Sequence, residues 1–501
     1  MSKFQQPGIF SLLNYFNWNR KGISNHSLKK FLHRSDEPHI SKEELSFQEL
    51  SKGKQHDIKL SKEQKVIRSL IIKTNKNVFY TGAAGTGKSV LLHSIIKGLK
   101  AKYKNSVSVT ATTGIAAVNI GGQTLHSFAG LTPQTQHYEI KDIIKDLPKG
   151  AEDRWRCLKA LVIDEVSMLN ADLFEKLNCL AQYYHNNTLP FGGIQLVLAG
   201  DFFQLPPIEK DNDKVKYCFE ADSWSKTLNH TIVLAKVHRQ REEEFINMLN
   251  EFRYGYVSKK SNQIMSNLEK APNYDNDGIL VTELYAINKY VNNINTAKLA
   301  ELPYQEMVYE AKDWEHEKRG RLQTLLKNCL APKRLILKRD AQVMLLRNVT
   351  QDLVNGTKGV VIGWFSVNNW EFYDDIPDVL TEDESLLPVV KFINGQTKIV
   401  PPFEWKLETK FKEKVEKVAS RLQIPLMLCW AISIHKSQGH TLERVKVNLD
   451  RTFENGQTYV ALSRATSLNS LQVLNFSADK VFAESKVIDF YKSLTSSVNI
   501  A

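Results

Sequence analysis

The sequence predicts an α/β protein: a parallel sheet with helices on both faces, followed by a second such lobe that carries a small all-β insertion. Three observations predict it. Residues 57–230 alternate short β-branched runs ("NVFYT", "SVSVTA", "ALVIDE", "IQLVLAG") with helical patterns, and strands separated by helices build parallel sheets. The alternation resumes at "HTIVLAKV" and again at "PLMLCWAISI" and "VKVNL". Between them, about 306–423, the runs "LILKRDAQVMLLRN", "GVVIGWF" and "LPVVKFI" are separated by turn residues, which is an all-β pattern. The expected organisation is a basic tail over 1–56, a first lobe over 57–230 and the start of a second over 231–305. The β insertion follows over 306–423, then the rest of the second lobe over 424–492 and a tail over 493–501. The charged stretch "KLETKFKEKVEKVASRLQ" is expected to lead from the insertion back into the second lobe.

Bulk properties narrow the class. The 501 residues suffice for about three domains at roughly 150 residues each. No apolar run approaches the ~18–20 residues that span a bilayer, so no membrane partner is expected. Five scattered cysteines without a close pair argue against a zinc ribbon or disulfide framework. A net charge of +12 is compatible with an acidic polymer as partner, since Lys and Arg neutralise phosphates, and equally with a solvated basic surface. Up to Ser35 there are six Lys or Arg and no acid. That segment reads as an organelle presequence, as a docking peptide ("QQPGIFSLLNYF") or as a disordered basic tail.

The densest signal is "GAAGTGKS", Gly82, Ala83, Ala84, Gly85, Thr86, Gly87, Lys88 and Ser89. It matches the phosphate-loop pattern with a strand before it and a helix after it. The loop amides and the positive end of the helix hold the β-phosphate. Lys88 reaches the β- and γ-phosphates, and the Ser89 hydroxyl coordinates Mg²⁺. "ALVIDEVSML" is a buried strand ending in Asp164, to hold Mg²⁺, and Glu165, to polarise the attacking water. "IQLVLAGDFFQLPP" ends in Asp201 and Gln204, whose amide can sense the γ-phosphate; a turn shaped by Pro206 and Pro207 is the plainer reading. Gln64, before the first strand, has the amide that pairs with adenine. Arg239 in "KVHRQ" and Arg464 in "YVALSRA" can stabilise phosphoryl-transfer charge only if a second lobe carrying them closes on the nucleotide. In "SIHKSQGHT" an apolar strand runs into His435, Lys436, Ser437, Gln438 and Gly439, read as small polar groups suited to phosphate contacts and to relay between lobes, or as a polar loop that needs Gly for its turn.

In this order, "TGAAGTGKS", "TATTGIAAVNIGGQTLHSFAG", "LVIDEVSML", "FGGIQLVLAGDFFQLPP", "KVHRQ", "AQVMLLRN", "LVNGTKGVV", "SIHKSQGHTLERVKVNL" and "GQTYVALSRA" resemble the Pif-one (petite integration frequency) family of superfamily-one helicases, with a fungal flavour. The resemblance covers roughly 57–492. It implies two RecA-like P-loop NTPase domains, a small insertion in the first and an SH3-like β-barrel in the second. It also implies ATP and Mg²⁺ as cofactors and 5′-to-3′ movement on single-stranded and forked DNA, in genome maintenance, by a monomer in the nucleus or mitochondrion. Gly439 then joins the nucleotide site. The DNA path takes Thr113, Gly114, His126, Ser127 and Phe128 from the first lobe, Asn355, Gly356 and Thr357 from the barrel, and His435, Ser437 and Tyr459 from the second lobe. Phe128 is either a base stacker or a buried core residue. "SMLNADLFEKLNCLAQYY" is expected to be a helix that positions DNA. Asp340 stands where the family commonly has Gly, which Asp tolerates at positive φ less well than Gly does. Two other readings keep the nucleotide site: a translocase that strips proteins without unwinding, and a nucleotide-gated adaptor docked to a replication clamp through the tail.

Overall fold

A computed structural model of the protein describes residues 60–495, apart from 133–137, 208–214, 273–280, 316–328, 330, 348, 351–352, 354, 367–385, 412–413 and 453. The basic tail expected over residues 1–56 lies outside the described residues. Among the described residues no helix is long and apolar enough to cross a membrane.

The first lobe begins with α1 (Lys62–Thr74), whose start is fixed by a capping box between Ser61 and Gln64. Then come β1 (Val78–Gly82), α2 (Lys88–Tyr103), β2 (Val107–Ala111), α3 (Gly114–Asn119), β3 (Gln123–Thr124) and α4 (Leu125–Ala129). They are followed by α5 (Ile140–Asp146), α6 (Lys149–Cys157), β4 (Ala160–Asp164), α7 (Ala171–His185), β5 (Gln195–Ala199) and β6 (His230–Leu234). The six strands form one sheet in the order β3-β2-β4-β5-β1-β6. β1, β4 and β5 are buried along their whole length, the pattern of a parallel sheet covered on both faces.

The sheet corrects a boundary. β6 was expected to open the second lobe, yet it pairs parallel with β1 from Val78↔His230 to Gly82↔Leu234. The first lobe therefore runs past residue 230. Strand order in a parallel sheet is set by crossovers, which a local pattern does not reveal.

The second lobe contains α8 (Glu243–Arg253), α9 (Lys259–Asn267), β7 (Thr282–Tyr285) and α10 (Asn288–Glu301). The inserted strands are β8 (Met307–Glu310), β9 (Lys312–Glu315), β10 (Arg334–Leu337), β11 (Gln342–Leu345), β12 (Lys358–Ser366), β13 (Leu386–Phe392), β14 (Thr397–Ile399), β15 (Phe403–Phe411), β16 (Lys414–Gln423) and β17 (Leu426–Leu428). The lobe then resumes with β18 (Ala431–Ser433), α11 (Ile434–Ser437), β19 (Val445–Asn448), α12 (Gln457–Leu462) and β20 (Leu471–Leu474), and the last described element is α13 (Ser485–Thr495). β18-β7-β19-β20 is a parallel sheet.

The insertion departs from the expected single body. Ile362–Val400 falls in a different compact unit from the rest of the insertion, and its described residues contain the β13–β14 hairpin, paired from Val389↔Ile399 to Lys391↔Thr397. The remaining strands belong to the larger unit, where β11 pairs with both β12 and β17. β17 was expected in the second lobe; its antiparallel pairing with β11 assigns it to the insertion. The charged stretch before it is no connector but the β15–β16 hairpin, with β9 on its open side. Asp340 has φ +63, so the position does require the left-handed conformation. Its amide donates to the Val361 carbonyl at 2.8 Å, which holds the turn.

The C-terminal boundary also moves. α13 reaches Thr495, and its Val487 and Tyr491 join the first lobe's core with Phe79, Phe202 and Trp224. The chain thus crosses back from the second lobe to the first before it ends.

Candidate nucleotide and nucleic-acid site

β1 delivers the phosphate loop. Gly85 and Gly87 have φ +84 and +80, values that side chains rarely adopt. A Cβ on Gly85 would lie 2.7 Å from the Arg239 Cβ, and one on Gly87 would lie 2.6 Å from Gln64 Nε2. The loop is therefore held closely on two sides. Gln64 is buried; its Nε2 donates to the Thr86 and Gly87 carbonyls at 3.4 Å while its Oε1 accepts from the Ser61 amide. The amide meant for adenine is thus engaged with the loop. His238 and Arg239 amides both donate to the Gly85 carbonyl, at 2.7 and 3.3 Å.

Lys88 opens α2, with its ammonium group turned onto the Gly82 and Ala83 carbonyls at 2.7 and 3.1 Å. Burial lowers its pKa, an effect that Asp201 and Glu165 oppose. A cation whose partners are loop carbonyls, in a loop of left-handed glycines at a helix N-terminus, fits a phosphate. Ser89 follows on the exposed face of α2.

Asp164 ends β4 and Glu165 follows it in the left-handed region at φ +51. Thr112 Oγ1 donates to the Glu165 carbonyl at 2.7 Å, and the Glu165 amide donates to Asp164 Oδ1 at 2.9 Å. Both carboxyls are pushed up, chiefly by burial; for Asp164 the Glu165 charge adds to this, while for Glu165 the Lys88 and Arg464 charges oppose it. Paired acids of this kind, raised chiefly by burial, suit a bound cation.

Gln204 is buried in the turn after β5. The turn lies against the N-terminus of α12: a Cβ on Gly456 would lie 2.2 Å from the Phe203 carbonyl oxygen and 2.9 Å from that of Gln204. Two arginines close the group. Arg464, after α12, is fully buried, with Nε donating to the Val460 carbonyl at 2.8 Å and Nη2 to Ser463 Oγ at 2.8 Å. Arg239 Nη1 donates to the Ser463 carbonyl at 2.8 Å, and burial together with the Arg464 charge pushes its pKa down to about 9. Arg239 does not come from the second lobe as expected, because it directly follows β6 of the first lobe's sheet.

Two DNA-path residues, Tyr459 and Ser437, are placed elsewhere than expected, and Phe128 takes the second of its two readings. Phe128 is fully buried, its ring centroid 4.9 Å from that of Trp155, so no base can stack on it. Phe128→Ala should cost about 3–5 kcal/mol of stability as a core cavity, read by urea unfolding, rather than removing one stacked base from DNA binding. Tyr459 is buried at the phosphate loop, where its hydroxyl accepts from the Ala84 amide at 2.7 Å. Ser437 is buried and donates to the Ile434 carbonyl at 2.7 Å, as helix-end residues commonly do. A Cβ on Gly439 would meet the Asn119 amide nitrogen at 3.6 Å.

The other DNA-path residues do cluster. Asn355 Nδ2 donates to Asn119 Oδ1 at 2.6 Å, which joins the insertion to the end of α3, the helix that starts at Gly114 after Thr113. Gly356 packs on the His440 ring, and Thr357 follows it. His126 and Ser127 are partly exposed on α4. His435 Nε2 is paired with Glu454 at 2.9 Å. α7, expected to position DNA, presents Leu173, Phe174 and Leu177 to the core and leaves Tyr183 exposed.

Sequence reading missed Arg253 and Tyr491. Arg253, the last residue of α8 in the second lobe, makes a bidentate pair with Asp201 of the first lobe at 2.7 and 3.1 Å. The Tyr491 hydroxyl meets Asp201 Oδ1 at 3.2 Å and Thr81 Oγ1 at 2.5 Å. The available signal was a charged residue on the apolar face of α8, one step after Phe252 and four after Leu249.

Fold and site together define a P-loop protein of two RecA-like lobes whose phosphate loop is contacted from both. Residues 59–263 match the family described as PIF1-like helicase, and 322–364 the one described as DNA helicase Pif1, 2B domain. The ATP-dependent DNA helicase PIF1 of Emericella nidulans is 41% identical over 476 residues, covering 86% of this chain and 62% of that protein. The crystal structure of Pif1 helicase from Candida albicans is 43% identical with a TM-score of 0.73, covering 87% of this chain and all of that one. Pif1 from Bacteroides, solved with ADP-AlF3 and ssDNA, is 29% identical with a TM-score of 0.60, covering 88% of this chain and 99% of that one. The chain belongs to the Pif1 family of helicases. It spans less than two thirds of the length of the Emericella relative.

Proposed function

We propose that this chain is an ATP- and Mg²⁺-dependent DNA helicase that moves 5′ to 3′ on single-stranded DNA and separates forked or structured duplexes in genome maintenance. The observation that carries the reading is the composition of the cleft. Partly buried Lys88, Glu165 and Arg239 of the first lobe share one electrostatic neighbourhood with the buried Arg464 of the second. In this reading the loop amides of 83–87 and Lys88 hold the phosphates, and Ser89 and Asp164 hold Mg²⁺, which offsets charge on the phosphate oxygens. Glu165 accepts the proton of the attacking water, Gln204 reports the terminal phosphate to α12, and the two arginines stabilise the charge that develops. A triphosphate contacted from both lobes favours their closed arrangement, and its loss reopens them. The relative solved with ADP-AlF3 and ssDNA supports both ligands.

The strand path is read as Thr113, Gly114, His126, Ser127, Asn355, Gly356, Thr357 and His435, with β11, β12 and β17 as part of an SH3-like barrel. A monomer acting in nucleus or mitochondrion completes the reading; comparing the location of the full chain with one lacking 1–50 tests the address. An oligothymidine should raise ATP turnover at least about tenfold, and a fork with a 5′ single-stranded arm should be unwound faster than one with a 3′ arm. Turnover indifferent to DNA defeats the motor. DNA-stimulated turnover without strand displacement leaves the protein-stripping translocase.

A further inference from the structure

Glu165 is gripped from the other lobe. Its backbone is pinned by Thr112 and by its own amide, so the carboxylate alone is free to choose a direction. Its Oε2 accepts from Gln438 Nε2 at 3.1 Å, and Gln438 is buried. Gln438 sits in a tight turn directly after α11, with Gln438 N–H donating to the His435 carbonyl and His440 N–H to the Ser437 carbonyl. Gly439, at φ +80, completes the turn.

The same turn has two other neighbours. Arg464 Nη1 donates to the Ser437 and His440 carbonyls, at 3.4 Å each. On its far side the His440 ring lies against Gly356, where a Cβ would be 3.2 Å from Cγ. Asn119, hydrogen-bonded to Asn355, borders Gly439. The His440 ring is 3% exposed, yet neither ring nitrogen has a hydrogen-bond partner. Burial and the nearby Arg464 and Arg239 charges push its pKa down to about 4, so it packs as a neutral ring held by shape. A contact made by shape alone transmits displacement of the 355–357 loop without first breaking a hydrogen bond.

We propose that Gln438 is a positioning residue that restrains Glu165 while the strand path is empty, and that a strand on the Asn355–Thr357 loop shifts the 437–440 turn through His440 and releases it. The amide donor of Gln438 fixes the direction of the carboxylate, which it holds toward the second lobe. This rests on Glu165 being the base of the proposed reaction.

The test uses the full chain. Gln438→Leu, which keeps the volume and removes the donor, should raise DNA-free ATP turnover by about tenfold, the rate that one ordinary hydrogen bond accounts for. The KM for ATP should stay unchanged, and the stimulation by oligothymidine should shrink in proportion. His440→Ala should leave DNA-free turnover low and reduce the stimulation. Without nucleotide, oligothymidine should speed amide hydrogen exchange at Gln438 and His440 in the parent chain. DNA-free and DNA-stimulated turnover falling together in Gln438→Leu, or exchange in the turn unmoved by DNA, overturns the proposal. Glu165→Gln in parallel separates the two readings, since ordinary turnover in that variant removes the base assignment itself.

Discussion

Replacing Glu165 with Gln should lower DNA-stimulated ATP hydrolysis by about 10²–10⁴-fold, the span attributed to a lost general base, while nucleotide affinity survives. The substitution keeps the side-chain volume, and the left-handed backbone at φ +51 is held by Thr112 and Asp164 rather than by the carboxylate. What disappears is the proton acceptor. Its pKa is raised by burial against the opposing charges of Lys88 and Arg464, which puts it nearer neutrality than an exposed Glu. Lys88→Ala should differ in kind, since it removes the only loop cation and should weaken nucleotide binding as well. Phosphate-release kinetics beside equilibrium binding of a fluorescent ATP analogue separate the two, and ordinary turnover by Glu165→Gln would discard the assignment.

The parts of this site that were legible in the sequence share one property: the chemistry is local. A strand, a glycine loop and a helix N-terminus occupy consecutive residues, so Gly82 to Ser89 could be placed by spacing, and Asp164 and Glu165 by the end of a buried run. At Asp340 the family resemblance pointed to a glycine position, and the φ of +63 there is the conformation a glycine would serve. Sheet order was not legible. β6 enters beside β1, which lies next to β5, so the strand at 230–234 belongs with residues about 150 positions earlier. Exposure was not legible either: Ser437 and Tyr459 sit in motifs near the strand path yet point into packed protein, and the motif around Phe128 left stacker and core residue open. A motif fixes where the backbone goes. Which way a side chain faces depends on neighbours such as Trp155 and Ala84 that no short pattern contains.

Breaking the Arg253–Asp201 pair should be the most destabilising single change outside the cores. Asp201 is fully buried at the end of the first lobe's β5, and Arg253, 6% exposed, reaches it from the second lobe's α8. The Arg253 guanidinium also lies over the rings of Phe203 and Tyr491, at 4.4 and 4.9 Å. Burial alone would raise the Asp201 pKa; the Arg253 charge and hydrogen bonds overcome it and hold the carboxyl below its usual range. Arg253→Met keeps the bulk but leaves a carboxylate without its cation in a dry site, which should cost about 3–5 kcal/mol near pH 7. Asp201→Asn with Arg253→Met should recover much of that loss, because the pair is coupled and neither buried charge then remains.

The pH dependence has a definite sign. With its folded pKa depressed, Asp201 contributes stability above the unfolded carboxylate value of about 4 and loses it as the pH falls through the lower folded value. In Arg253→Met the unpaired carboxyl is raised by burial and is relieved by protonation, so the gap between parent and variant should narrow as the solution is acidified from neutrality. Urea unfolding at pH 7 and pH 5 measures both effects. A variant within about 1 kcal/mol of the parent at pH 7, the value of an ordinary exposed ion pair, would mean that Arg253 holds no strategic contact between the lobes. A gap that widens in acid would mean that Asp201 is not the group left unpaired.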